Sequence, residues 1–291
     1  MKVVEDLSSI LQSVDLLSFS ERDVQWQTLV SKIQAMTLMD DVFFNCFMED
    51  NIASMEYILN IIMDRDDLRV VRIQTQHSVP NMYGRSVRFD VFVIDQYGRE
   101  YNFEVQNASS GAAPKRARYN SDLLDLRKLN SGDDFDALPE TYVIFITAKD
   151  VLGYGLPIYH IDRHINELGV HFNDMAHIIY VNGENTSSTP LGKLMQDFQK
   201  SDPSKMHSQL LANRMKYLKS VDEEVSKMCN IVEEYVAQRV AEVEAKAAAK
   251  EKNNKLDAIR NLMKKTCWSA EEAMDAIGIQ KADYPQYLAL L

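Results

Sequence analysis

Residues 88 to 106, RFDVFVIDQYGREYNFEVQ, constrain the fold more than any other stretch, because two runs of period-two alternation flank a turn signal. A three-residue loop, Gln96 to Gly98 with Gly98 in the left-handed position, pairs Asp95 with Arg99 and zips the strands outward. That register sets Phe89 against Val105, Val91 against Phe103 and Val93 against Tyr101 on one apolar face. On the other face Arg88 meets Gln106, Asp90 meets Glu104 and Phe92 meets Asn102. Two carboxylates directly opposite each other repel unless a cation lies between them. Mg²⁺ or Mn²⁺, which prefer carboxylate, carbonyl and water oxygens, would turn the repulsion into coordination. The same residues also fit an edge hairpin whose outer face is solvated.

Charge bears on which partners such a site could take. The 291-residue chain has a formal net charge of −11, which argues against nonspecific coating of nucleic acid. Segment 69 to 130 differs: ten Lys and Arg stand against six Asp and Glu, a balance of +4 that leaves −15 for the rest. The positive excess accompanies the hairpin, as phosphate binding would require. Cys46, Cys229 and Cys267 lie far apart without ligand spacing, which suits packing roles in a reducing compartment. Glu5 and Asp6 interrupt the apolar core a signal peptide would need, and no run reaches membrane-spanning length, so the expected location is cytoplasmic.

Around the hairpin the pattern is α/β, a mixed sheet flanked by helices with a helical C-terminal tail. Residues 1–35 read as an amphipathic leader. TLMDDVFFNCFMED opens a helix with Thr37 as its cap, and ASMEYILNIIM continues helical. VVRIQTQ is a strand and NMYGRS leads into the hairpin. KRARYNSDLLDLRKLNSG is a helix that stops at Gly132, and TYVIFITAKD and HIIYVNG are central strands with irregular chain and a short helix between them. Helices resume near Pro190. A long helix then fills 216–254, its stripe running through Val225, Cys229, Val232, Val236, Val240, Val243 and Ala247; a linker helix and a dimer seam both fit it. Two short helices make a module over 255–291, the second opened by the capping box Ser269-x-x-Glu272 and closed at Gly278.

The ordered motifs MDDVFFNCF, VRFDVFVIDQYGREYNFEVQ, KRARYNSDLLDLRKL, TYVIFI and HIIYVNG resemble the Rpn family of recombination-promoting nucleases, the PD-(D/E)XK nuclease family transposases, across about residues 36–215. The resemblance implies a restriction-endonuclease-like core and Mg²⁺-dependent DNA cleavage. It makes Asp90 and Glu104 the metal-binding carboxylates, with the Val105 carbonyl beside them. Gln106 stands where the wider superfamily has Lys. Asp41, in Asp41-Val-Phe-Phe44, would reach the metal through water, or serve only as an acid favoured at a helix N-terminus. Arg116 and Tyr119 match R-x-x-Y on one helix face and would bind DNA phosphate, with Lys115 and Arg118 adding charge.

Other chemistries find little support. His160 and His164 have helix metal-ligand spacing but no adjacent Glu, so packing or surface roles fit them better, and His171 has no phase with them. There is no Walker lysine loop, dinucleotide turn or serine elbow, so no nucleotide cofactor is expected. The sequence thus predicts a metal-dependent endodeoxyribonuclease whose partner is DNA, with a homodimer through the tail helix as a further option. The alternative is a catalytically weak or inactive member that binds nucleic acid or protein.

Overall fold

A computed structural model describes residues 19–79, 87–107, 109–130 and 132–291. Residues 1–18 of the leader and the NMYGRS segment lie outside the described residues. The chain divides into two compact units, the first reaching Val232 and the second starting at Glu233. The first unit therefore takes in the helix of the leader and extends past residue 215, and the division falls inside the long helix.

The first unit is α/β. Its described elements begin with α1 (Phe19–Ala35), α2 (Asp41–Met48), α3 (Ile52–Ile62), β1 (Val70–Val79), β2 (Val87–Asp95), β3 (Glu100–Gln106), α4 (Pro114–Leu126) and β4 (Thr141–Thr147). They continue with β5 (Ile158–Ile161), β6 (His164–Ile165), β7 (Val170–His171), β8 (Ala176–Asn182), α5 (Pro190–Phe198) and α6 (Gln209–Ser220). Among the described residues six strands form one mixed sheet in the order β1-β2-β3-β4-β8-β5. β1, β2 and β3 are antiparallel neighbours, whereas β3, β4 and β8 run parallel and β5 returns antiparallel.

The hairpin folds in the expected register, Val91 opposite Phe103, Phe92 opposite Asn102 and Val93 opposite Tyr101. Gly98 takes φ +78° in the turn, and the Asp95 carboxylate accepts the Tyr97 and Arg99 N–H groups and the Arg99 side chain. The expected division into an apolar and a polar face holds only to Val91. Phe89 packs in the same buried cluster as Phe92, with Ala117, Leu123 and Leu124 of α4 and Phe145 of β4. The reason is that both faces of the sheet are covered: β4 is buried along its whole length, and α2 packs against β1, β2 and β3. A solvated outer face is therefore not what surrounds Glu104, which is fully buried.

Several boundaries differ from the sequence expectation for identifiable reasons. The N-cap of α2 is Asp40 rather than Thr37; the Asp40 carboxylate instead accepts the Thr37 N–H at 2.8 Å. α4 ends at Leu126, six residues before Gly132, because Arg127 and Lys128 turn in to pair with the buried Glu100. Between β4 and β8 the chain forms β5 and a hairpin of β6 and β7, with no helix among the described residues there. That hairpin sets His164 directly opposite His171, ring centroids 4.4 Å apart, and His160 lies in β5, so His160 and His164 are on separate strands and share no helix face.

The tail helix α7 (Asp222–Thr266) runs for 45 residues. It absorbs LDAIRNLMKKT, expected as a separate helix, because no Gly or Pro interrupts the sequence around Asn253 and Asn254. Val225, Cys229 and Val232 of its stripe are buried, whereas Val243 is exposed. In the second unit α8 (Ala270–Ala276) carries the expected capping box and is followed by α9 (Tyr284–Leu288); Leu256, Ile259, Met274, Ile279 and Tyr287 form its core. Cys46 and Cys229 are buried as expected, but Cys267 is exposed.

Candidate active site

The parallel pairing of β3, β4 and β8 registers Gln106 with Thr147 and Asn182, at the carboxyl ends of the three strands. Open α/β sheets gather their chemistry at that edge. Here the edge is built from β2, β3, the N-terminus of α2 and the first turns of α4.

Asp90 and Glu104 converge as their places in the hairpin require. The regular register ends at Val91 opposite Phe103, and beyond it the Asp90 carboxylate accepts the Val105 N–H at 3.0 Å. A side chain thus makes the cross-strand bond there, which fixes the Asp90 carboxylate against the strand that carries Glu104. Glu104 Oε1 accepts the Asn102 amide at 3.3 Å, and Oε2 receives Arg116 Nη2 at 2.6 Å. Asn102 lies two residues before Glu104, on the same face of β3.

Position 41 enters from the far end of the chain. Asn107, just past β3, donates to Asp40 at 3.4 Å, tying the start of α2 to the strand end. The Asp41 carboxylate accepts the Val42 N–H at 2.9 Å and lies close enough to raise the proton affinity of both other acids. For Asp90 the upward shift comes first from burial, then from Glu104 and Asp41, with the Val105 N–H and Arg116 opposing. Glu104 is also raised, by burial first, although Arg116 and Asn102 pull it down. Three carboxylates therefore share one region whose fixed positive charge does not balance them.

Gln106 and Arg116 meet on the other side of Glu104. Arg116 Nη1 donates to the Gly111 carbonyl at 2.8 Å and reaches Gln106 Oε1 at 3.5 Å. Gly111 permits this: a Cβ built there would lie 1.9 Å from Gln106 Oε1. With its oxygen toward Arg116, the Gln106 amide keeps its N–H₂ group as a donor. Tyr119, one turn after Arg116, packs against the Phe92 and Phe145 cluster, while Lys115 and Arg118 point to solvent.

Asp90 and Glu104 offer carboxylate oxygens, which suit a hard divalent ion. Among the described residues no three His, Cys, Asp or Glu side chains gather closely enough to bind a metal by themselves. The arrangement fits an ion that keeps several waters and takes one or two carboxylates, the habit of Mg²⁺. Asp41 opens α2, where its negative charge suits the helix start.

Four of the ten cations of segment 69 to 130 are held in ion pairs with acids of the same segment, so most of its positive excess is left on the other six. Arg99 pairs with Asp95, Arg127 and Lys128 with Glu100, and Arg116 with Glu104. Sequence reading set Asp95 against Arg99 but missed the other pairs, and it missed the parts played by Gly111 and Asn102; only Asn102, in phase with Glu104, carried a signal. Comparison with protein-family models finds no match to the chain, and neither curated proteins nor solved structures give a significant match.

Proposed function

We propose that this chain is a divalent-metal-dependent endodeoxyribonuclease with a restriction-endonuclease-like core, as its likeness to the Rpn nucleases implies. The observation that carries the reading is the convergence of Asp90 and Glu104 at the carboxyl edge of the sheet, both of raised proton affinity, with Asp41 beside them. Such a pair is costly to folding unless a cation compensates it. Asp90, Glu104 and the Val105 carbonyl would hold Mg²⁺ or Mn²⁺, which supplies Lewis acidity and neutralises charge on the reacting phosphate. Gln106 donates its amide N–H to the attacking water and orients it, but is too weak a base to take its proton. The water oxygen bonds to phosphorus, the bridging P–O bond breaks, one proton passes to solvent through the substrate phosphate, and the departing alkoxide is protonated by solvent. Lys115 and Arg118, exposed on α4, contact DNA phosphates outside the reacting centre. Self-association, if the tail mediates it, uses the exposed part of α7 around Val243.

The engagement of Glu104 by Arg116, with Gln in place of a lysine, favours a second reading in which the fold binds DNA without cutting it. Supercoiled-plasmid nicking at low salt separates the two. Wild-type protein should nick in Mg²⁺ or Mn²⁺ and not in Ca²⁺ or EDTA, and Asp90→Asn and Glu104→Gln should each abolish nicking. Salt-sensitive DNA binding without cleavage under any divalent ion would select the second reading, and nicking that survives both substitutions would remove the carboxylates from the chemistry.

A further inference from the structure

The site lacks a strand lysine, yet a guanidinium stands within reach of both Glu104 and Gln106, and it comes from α4. We infer that Arg116 supplies the positive charge that position 106 does not, and that it exchanges partners: Glu104 while the carboxylates hold no cation, the substrate phosphate once they do. The inference rests on the proposed function and assigns one residue a double part within it.

Geometry supports each half. Arg116 Nη2 is 2.6 Å from Glu104 Oε2, so the guanidinium takes one of the two carboxylate oxygens and competes for the charge a cation would meet. Its side chain is 38% exposed while that of Glu104 is fully buried, so Arg116 reaches from solvent into the site and keeps N–H groups on the open side. A planar fork of that kind matches a phosphate as well as a carboxylate.

The anchoring of Arg116 is built rather than incidental. Nη1 is held by the Gly111 carbonyl at 2.8 Å and touches Gln106 Oε1, so the head group pivots about a fixed backbone oxygen. The carboxamide of Gln106 fills the space above Gly111 that any side chain at 111 would take. The 3₁₀ turn Ser109–Ala112 and the N-terminus of α4 thus form a seat for the guanidinium next to the end of β3. A cation entering between Asp90 and Glu104 repels Arg116 from Glu104 and leaves it without an anionic partner, held by Gly111, Gln106 and the Phe145 ring. A phosphate arriving at the cation would then restore its charge partner.

The test measures binding, so that it does not depend on turnover. Mn²⁺ affinity is measured by calorimetry, and affinity for a short DNA duplex is measured in Ca²⁺ at several salt concentrations, for wild type, R116Q, R116K and G111A. R116Q should bind Mn²⁺ several-fold more tightly, since a competing charge is gone. Its DNA affinity should fall about tenfold, and the salt slope should drop by about one phosphate contact. R116K keeps the charge but loses the fork, so it should hold Mn²⁺ as wild type does and lose several-fold in DNA affinity. G111A, which evicts Gln106 from its place, should follow R116Q for DNA. Circular dichroism establishes that each variant is folded, and R116K carries the test if R116Q is not. Weaker or unchanged Mn²⁺ binding by R116Q, or unchanged DNA affinity in it and R116K, would overturn the role given to Arg116. Wild-type protein that takes up no Mn²⁺ would instead overturn the proposed function, and this inference with it.

Discussion

At Lys219 an ammonium group sits among three backbone carbonyls, those of Gln34, Met36 and Ser201, at 2.9, 2.6 and 2.8 Å. It joins the end of α1 to α6 and lies 5.0 Å from the centre of the Phe43 ring. Burial pulls its pKa down to about 8 from the usual 10.5, against the pull of Asp40 and Asp202. Between those two values the unfolded chain holds a proton that the folded chain has released, so this group makes stability rise with pH across the window. In Lys219→Met that rise should be missing, and near neutral pH the carbonyls left without a donor should cost about 1–3 kcal/mol, read by denaturant unfolding at several pH values. Thiols give a second residue-level test. Burial first, then Glu49, pushes Cys46 up to about 12, and Cys229 is buried, so a thiol reagent should label only Cys267 in the native protein and all three on unfolding. Labelling of Cys46 at native rates would contradict the packing of α2. Asp90 and Glu104 were legible in the sequence because period-two alternation across a known turn dictates which residues meet. Lys219 was not, since two of its three acceptors are backbone atoms brought from more than 180 residues away.

Among elements the hairpin was the most legible, because Gly98 fixes the turn and the turn fixes the register. Elements that respond to distant partners were less so. The helix formers of α4 continue past Leu126, but a buried Glu100 draws Arg127 and Lys128 away, and Arg127 stacks 4.0 Å from the centre of the Phe92 ring. Likewise HIDRHINELGVH has helical spacing of its histidines, yet the turn from Ile165 to Gly169, with the Gly169 N–H bonded to the Ile165 carbonyl, makes it a hairpin. In the tail the capping box is local chemistry and was readable: Ser269 Oγ accepts the Glu272 N–H and the Glu272 carboxylate accepts the Ser269 N–H. Ser269→Ala should therefore destabilise the second unit by about 1 kcal/mol and leave the first unchanged. Hydrogen exchange resolved by segment would show faster exchange over α8 alone, and equal changes in β3 would mean the units do not unfold separately.

At the scale of the molecule, the division at Val232 assigns the start of α7 to the sheet-bearing unit, since Val225, Met228, Cys229 and Val232 are all buried. A chain ending at Val232 should keep the melting temperature of that unit. One ending at Val221 should lose about 1.5–3 kcal/mol for each buried side chain removed, and a melt at the wild-type temperature would show that α7 does not support the first unit. No helix among the described residues is long and apolar enough to cross a membrane. The mixed sheet was readable from the alternation of apolar runs and helices; the order of its strands was not, since β5, which lies beside β8 at the edge, falls where irregular chain was expected. What sits at the sheet's carboxyl edge was readable only in part, because Gly111, Asn107 and Arg116 act through contacts that spacing does not encode. The central claim is that the carboxylates there are a cation site, and anomalous diffraction from crystals soaked in Mn²⁺ tests it most directly. The account predicts a peak about 2.1 Å from oxygens of both Asp90 and Glu104, with Arg116 moved off Glu104. A map with no peak there, and Arg116 still paired with Glu104, would contradict it.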